Sequence, residues 1–268
     1  MGGKAVMDVE QKRINELAEN LRRVNEEIAE AAQDYSQVRH ADSAMPRLTV
    51  VTKFFPASDV QGLYSLGVRY VGENRDQEAS AKEAELKHST DEEDPLLWAY
   101  IGQLQSNKAK SVVKYAAEVQ SVDRVSLVNA LTKAYSHQLK RWENGEMDAP
   151  AAAVWGGLRC FVQVNLDDSM SADSHRGGAR VDDVARIADE IVSDRNLTCA
   201  GVMAVAPRGM DPHRAFEKLF TISQKLQEIH PGATEISAGM SGDMRAAIAW
   251  GSTNVRIGSH IMGARSAI

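Results

Sequence analysis

Cysteine, paired histidines and long apolar runs are what this 268-residue chain has least of. Its two cysteines, Cys160 and Cys199, lie far apart in apolar, strand-like stretches. They make no disulfide framework and read as reduced core residues of a cytoplasmic protein. There is no CxxC, and the seven histidines show no paired metal spacing, so no metal site is expected. No apolar run is long enough to span a bilayer, and Met1–Glu10 carries no signal-peptide core. Met1-Gly2 opens like a myristoylation signal, but Val6 stands where serine or threonine is needed. A net charge of −6 offers nothing to nucleic acid or to an anionic membrane.

What is present is a rhythm. Residues 8–35 form an amphipathic helix pattern, with Ile14, Leu17, Leu21, Val24, Ile28 and Ala31 on one face. This suits a packing helix that closes a domain. Apolar runs then alternate with polar helix patterns. The strand candidates are Leu48–Thr52, Tyr70–Gly72, Leu97–Gly102, Glu118–Val122, Cys160–Asn165, Cys199–Val205, Glu235–Ala238 and Asn254–Gly258. Between them lie helix candidates at Ala57–Leu66, Asp76–Lys87, Lys108–Tyr115, Val125–Lys140, Val181–Ser193, Pro212–Ile229 and Asp243–Trp250. The runs are partly continuous rather than alternating, as expected for parallel strands covered on both faces. Eight strands with intervening helices predict a single (β/α)8 TIM-like barrel over residues 48–265 with an extra N-terminal helix, the whole of 1–268 forming one domain. An open doubly wound sheet is the alternative, but the glycine fingerprint that would support it is missing after the first strand. Residues 90–95 read as an acidic loop and residues 141–157 as an exposed excursion.

In such a barrel the site is built where strands end. Lys53 ends the first strand. A buried ammonium costs several kcal/mol unless paired, and burial depresses lysine's pKa, which suits a nucleophile or Schiff-base former. Otherwise it is a lysine snorkelling out of a strand end. After strand seven comes Gly239-Met240-Ser241-Gly242-Asp243, and after strand eight Gly258-Ser259. Small residues there let backbone N–H groups converge on an anion, and both serines add hydroxyls. Alternatively Ser241 is an N-cap and Gly258 a turn glycine. Two phosphate-type turns beside a strand-end lysine favour a phosphorylated aldehyde, with pyridoxal 5′-phosphate (PLP) the obvious candidate. Arg256, two residues before Gly258, shares its face and can oppose a pyridine nitrogen; a buried salt bridge is the other reading. Asn74 can bond cofactor or lysine, or tie down its own turn. Ser106-Asn107 read as a helix cap and Lys108 as solvent-exposed.

Val51-Thr52-Lys53, Gly72-Glu73-Asn74, Ile101-Gly102-Gln103-Leu104-Gln105-Ser106-Asn107-Lys108, Gly239-Met240-Ser241-Gly242-Asp243-Met244 and Val255-Arg256-Ile257-Gly258-Ser259 occur in this order. Together they resemble the YggS/PROSC family of pyridoxal phosphate homeostasis proteins, related to the N-terminal barrel of alanine racemase. The resemblance runs from Leu48 to Arg265 and is weak in the first helix and in residues 141–157. It implies PLP held as a covalent aldimine on Lys53, phosphate contacts from Ser241, Gly258 and Ser259, a ring-nitrogen contact from Arg256, and Met240 beside the ring. It also implies carriage and buffering of PLP, with apo PLP enzymes as recipients, in a cytoplasmic monomer with no catalytic residues of its own. Two departures stand out. Phe55 and Arg176 occupy positions where many relatives carry lysine, so a PLP relay through extra lysines is not expected. The competing reading is an amino-acid racemase. That chemistry needs a second base, which alanine racemase takes from a separate domain, and this chain is expected to have no room for one after strand eight. A cofactor-free interaction module using the long helix is a third reading.

Overall fold

The computed structural model describes residues 2–34, 45–91, 93–167 and 177–264, with side chains from residue 10 onward. Eight parallel strands close into a barrel in sequence order: β1 (Arg47–Val51), β2 (Tyr70–Glu73), β3 (Leu97–Tyr100), β4 (Ala116–Val122), β5 (Leu158–Gln163), β6 (Leu197–Met203), β7 (Glu235–Ser237) and β8 (Asn254–Ile257). Helix α1 (Gly2–Asp34) precedes β1. The outer helices are α2 (Ala57–Ser65), α3 (Asp76–Leu86), α4 (Ala109–Tyr115), α5 (Val125–Glu143), α6 (Val184–Val192), α7 (Pro212–Ile229) and α8 (Met244–Ala249), with a last turn α9 (Ser259–Met262). The expected barrel is therefore the observed one, and the doubly wound alternative falls because β1 pairs with β8 along Leu48–Val50 and Val255–Ile257.

The strands form because both faces are covered. All seven residues of β4 are buried, the polar Glu118, Gln120 and Ser121 with the apolar ones, so both faces of the strand are covered. β5 and β6 begin two residues earlier than expected, at Leu158 and Leu197, which are register partners. The earlier start only lengthens the strands, whose register slips once, between Cys160 and Phe161. α7 starts where the local chemistry demands it: Asp211 accepts from His213 N–H and Pro212 occupies the first turn.

α1 starts at Gly2 rather than residue 8, since propagation past an established packing face costs little. Leu17, Leu21, Val24, Ile28 and Ala31 are buried, and each of the larger four contributes about 1.5–3 kcal/mol by leaving water. The helix is also stitched to the end of the barrel. Asn20 Nδ2 donates to Ile261 O at 3.0 Å. Arg13 Nη2 donates to Met262 O at 2.9 Å and pairs with Asp59 at 2.7 Å. It thus backs the turns that follow β7 and β8.

Residues 141–157 are an exposed excursion over most of 142–149, as expected, but they are anchored at both ends. α5 runs on to Glu143, and a 3₁₀ turn at Ala151–Trp155 packs across the N-terminal mouth. Trp155 stacks on Tyr70 with centroids 6.1 Å apart, and Arg159 lies over Trp155 at 4.6 Å. Within this turn Ala152 is buried while Val154 stays exposed.

Candidate functional site

The C-terminal strand ends converge. Val51 lies opposite Gly72, so Lys53 and Asn74 leave their strands side by side. A side chain on Gly258 would meet Val51 at 3.4 Å, which puts the β8 turn against the strand that carries Lys53. Ser259 Oγ and Ser241 Oγ stand 3.3 Å apart. The two serines expected at an anion site thus face one another across adjacent turns.

The local chain explains these positions. Gly239 has φ +94°, and a Cβ there would strike Ala247 Cβ at 2.7 Å, so only glycine carries β7 into α8. Asp243 Oδ1 accepts from Met240 N–H at 2.6 Å and fixes the turn between them. Ser241 is not the cap of α8, because Asp243 holds that position. Met240 is 40% exposed at the rim. The N–H groups of Ser241, Gly242 and Gly258 have no backbone acceptor among the described residues, and no side chain would be obstructed at Gly242. That is the donor set and the space a phosphate needs.

Asn74 is held by a close approach. A Cβ at Gly102 would lie 2.2 Å from Asn74 O, so glycine is obligatory where the β2 and β3 turns touch. Asn74 Oδ1 is buried without a hydrogen-bond partner. A buried acceptor left open in this way fits a ligand that brings a donor. With the open N–H groups and paired hydroxyls, the residues present fit PLP.

Arg256 is 4% exposed. Its Nη1 donates to Ser237 Oγ at 2.7 Å and its Nη2 to Ala204 O at 3.0 Å. Among the described residues no ion pair engages it, so the salt-bridge reading is corrected: its partners are neutral. Burial pushes its pKa down to about 10, against the pull of Asp243, and it stays cationic at neutral pH.

Lys53 is half-buried. Its neighbours are gripped from outside the barrel wall. Thr52 Oγ1 donates to Glu73 Oε1 at 2.7 Å. Lys82 Nζ, on α3, donates to Thr52 O at 2.9 Å, to Glu73 Oε1 at 2.7 Å and to Glu78 Oε1 at 2.8 Å. Phe54 N–H donates to the same Glu78 oxygen. Phe54 has φ +71°, the one non-glycine positive φ among the described residues. Burial pushes the Glu73 carboxyl above its usual range, opposed by Lys82 and Thr52. The clamp residues Glu78 and Lys82 were not anticipated from sequence. The available signal was a lysine on the stripe Ala79, Lys82, Leu86, which α3 buries.

Further expectations are met, revised or outside the description. Lys108 keeps 43% of its side chain exposed, as expected, and in addition pairs with Asp76 at 3.7 Å. Ser106 accepts from Arg124 at 3.2 Å instead of capping a helix, because Gln105 holds the cap position. Phe55 packs toward α1, with Arg13 5.7 Å from its ring centroid. Arg176 lies outside the described residues. Both cysteines are buried and free, as register partners on β5 and β6.

The family model for the alanine racemase N-terminal domain matches residues 13–266. The chain is 39% identical over 219 residues to the pyridoxal phosphate homeostasis protein of Corynebacterium glutamicum, covering 82% of this chain and 90% of that protein. It is 35% identical over 266 residues to the pyridoxal phosphate homeostasis protein of Mycobacterium leprae, covering 97% and 96% respectively. A solved structure, PipY of Synechococcus elongatus PCC7942 with PLP bound, aligns with a TM-score of 0.70 at 27% identity, covering 92% of this chain and all of that one.

Proposed function

The chain belongs to the pyridoxal phosphate homeostasis protein family, whose barrel is that of the alanine racemase N-terminal domain, and on that premise we propose that it binds PLP at the C-terminal mouth and serves to hold and pass it on, without robust turnover. The observation that carries this reading is the meeting of the Ser241 and Ser259 hydroxyls beside the strand that ends in Lys53.

PLP supplies an aldehyde that condenses with amines and a pyridine ring that withdraws electrons. In this reading Lys53 Nζ would hold PLP covalently through its aldehyde. Ser241, Gly242, Gly258 and Ser259 hold the phosphate through hydroxyls and backbone N–H groups. Asn74 Oδ1 accepts a donor from the ligand or from Lys53, and Met240 lines the rim beside the ring. Arg256 directs its remaining N–H groups at the ring nitrogen. A guanidinium does not hand over its proton, so the nitrogen stays unprotonated and the ring is a weak electron sink. That favours holding over amino-acid chemistry.

The reading takes the chain as one cofactor-binding domain, a cytoplasmic monomer that delivers PLP to apo-enzymes. Among the described residues no helix is long and apolar enough to cross a membrane. The test is an absorbance spectrum of purified protein with PLP, before and after borohydride, with mapping of the labelled peptide. The label is expected on Lys53, and Lys53→Ala is expected to lose the visible band. A label on another lysine refutes the assignment.

A further inference from the structure

Arg256 sits at one end of a directed chain of hydrogen bonds through the barrel interior. Arg47 Nη1 and Nη2 donate to the two oxygens of Glu118 at 2.7 and 3.0 Å. A carboxylate gripped in this bidentate way has only acceptors to offer. Gln120 meets Glu118 Oε2 at 2.8 Å, so it must present its NH₂ there. Its Oε1 is thereby turned to Ser237, 2.8 Å away. The one hydroxyl proton of Ser237 goes to that oxygen, and its lone pairs accept from Arg256 Nη1 at 2.7 Å. Asn254 agrees with this polarity: its Oδ1 accepts from Thr49 Oγ1 at 2.8 Å and its Nδ2 points to Ser237 at 3.4 Å. Ser237, Gln120 and Asn254 are fully buried, so bulk solvent does not compete for these hydrogen bonds.

Each link fixes the next, and the chain has one consistent orientation. From it we propose that Ser237 and Gln120 are positioning residues that anchor the Arg256 guanidinium to Glu118 and so aim its free N–H groups at the cofactor's ring nitrogen. This rests on the reading of Arg256 given above. Without Ser237, Nη1 loses its acceptor and the guanidinium is held by Ala204 O alone. Without Gln120, Ser237 has no acceptor for its proton and is free to turn that proton toward Arg256, where two donors would oppose each other. In either case the ring contact should weaken while the phosphate turns and Lys53 stay in place. The linkage also gives a charge at the N-terminal mouth a bearing on ligand choice at the opposite one.

The test compares PLP with its 1-deaza analogue, in which the ring nitrogen is replaced by CH, by measuring dissociation constants for wild type, Ser237→Ala and Gln120→Met. A charge-assisted hydrogen bond corresponds to roughly tenfold to a hundredfold in affinity, so wild type should prefer PLP by about that factor. In both variants the preference should fall to within about threefold, with affinity for the deaza analogue little changed. Should Ser237→Ala fail to fold, Gln120→Met, which keeps side-chain length and volume, carries the comparison. A preference that survives in the folded variants overturns the positioning role. Equal binding of both ligands by wild type removes the ring-nitrogen contact itself, and failure of wild type to bind either removes the PLP reading on which both stand.

Discussion

Replacing Lys82 with methionine should separate what holds the Lys53 turn from what holds the fold. Lys82 has 8% of its side chain exposed, Glu73 1% and Glu78 21%, so this ammonium works between largely buried carboxylates. Methionine keeps the aliphatic volume and removes the charge. Taking one partner from a buried pair costs about 3–5 kcal/mol, because the other charge is left unpaired. Here Glu73 would keep only the Thr52 hydroxyl. Urea unfolding of the apo-protein at pH 7 should therefore lose about that amount. The penalty has a pH sign. Burial already raises the Glu73 carboxyl above its usual 4.5. The stability it contributes is thus fullest below its unfolded pKa and is lost as pH rises through the higher folded value. Removing Lys82 raises that folded value further, so the deficit should shrink on acidification as Glu73 takes up a proton.

The double variant Glu73→Gln/Lys82→Met decides between charge and clamp. Its amide still accepts from Thr52 and carries no unpaired charge, so most of the lost stability should return. The grip of Lys82 on Thr52 O does not return, and Glu78 holds Phe54 N–H without its own lysine partner, in a left-handed conformation that costs about 1–2 kcal/mol. PLP attachment at Lys53 should therefore stay weak in a stable protein. If Lys82→Met loses less than about 1 kcal/mol at pH 7 and binds PLP normally, the clamp carries neither stability nor position and the reasoning fails.

Ser241→Ala should weaken PLP by roughly tenfold to a hundredfold, the worth of a charge-assisted hydrogen bond, and leave pyridoxal nearly unchanged; equal losses for both would place the serine away from the phosphate. The loaded protein incubated with L-alanine should form D-alanine or pyruvate far more slowly than a typical enzyme's rate of about 10 per second. Sustained turnover near that rate would restore the racemase reading.

The strand-end residues were legible because their positions follow from a local pattern. Lys53, Ser241 and Gly258 each lie at or within three residues of the end of a strand candidate, and a two-residue error in where a strand begins leaves such positions intact. The barrel interior was not legible. Glu118 meets Arg47 across 71 residues and Arg256 meets Ala204 across 52, and neither contact exists until the sheet closes. In sequence, Glu118 and Gln120 are merely polar residues at alternate positions of Ala116–Val122. That spacing puts both on one face, but nothing local says the face is the inside of a barrel lined by partners. Arg256 was read as either a ring contact or half of a salt bridge. The third possibility, a guanidinium seated on a serine and a carbonyl with its counter-charge several hydrogen bonds away, could be seen only with the strands in register.

Exposure at the mouth bears on whether the site is built to transform a ligand or to release it. Carbanion chemistry profits from a site closed to water, where fixed dipoles replace solvent. The turns here are arranged otherwise. Ser259 is exposed, Ser241 is partly so, and Met240 shows 40% of its surface. The parts beneath are the reverse: Arg256, Ser237 and Gln120 are buried and locked, and the residues beside Lys53 are clamped by Lys82 and Glu78. A ligand seated here would have its ring and its covalent link oriented by rigid networks, while its phosphate faced solvent on short turns. Such a site loses little by remaining open, provided its task is to bind and let go. Were the ligand linked to Lys53 as proposed, water reaching that link would aid its release. An enzyme that must protect a reactive carbanion gains nothing from that arrangement, and this asymmetry between a fixed floor and an open rim is the physical ground for reading the barrel as a holder of PLP.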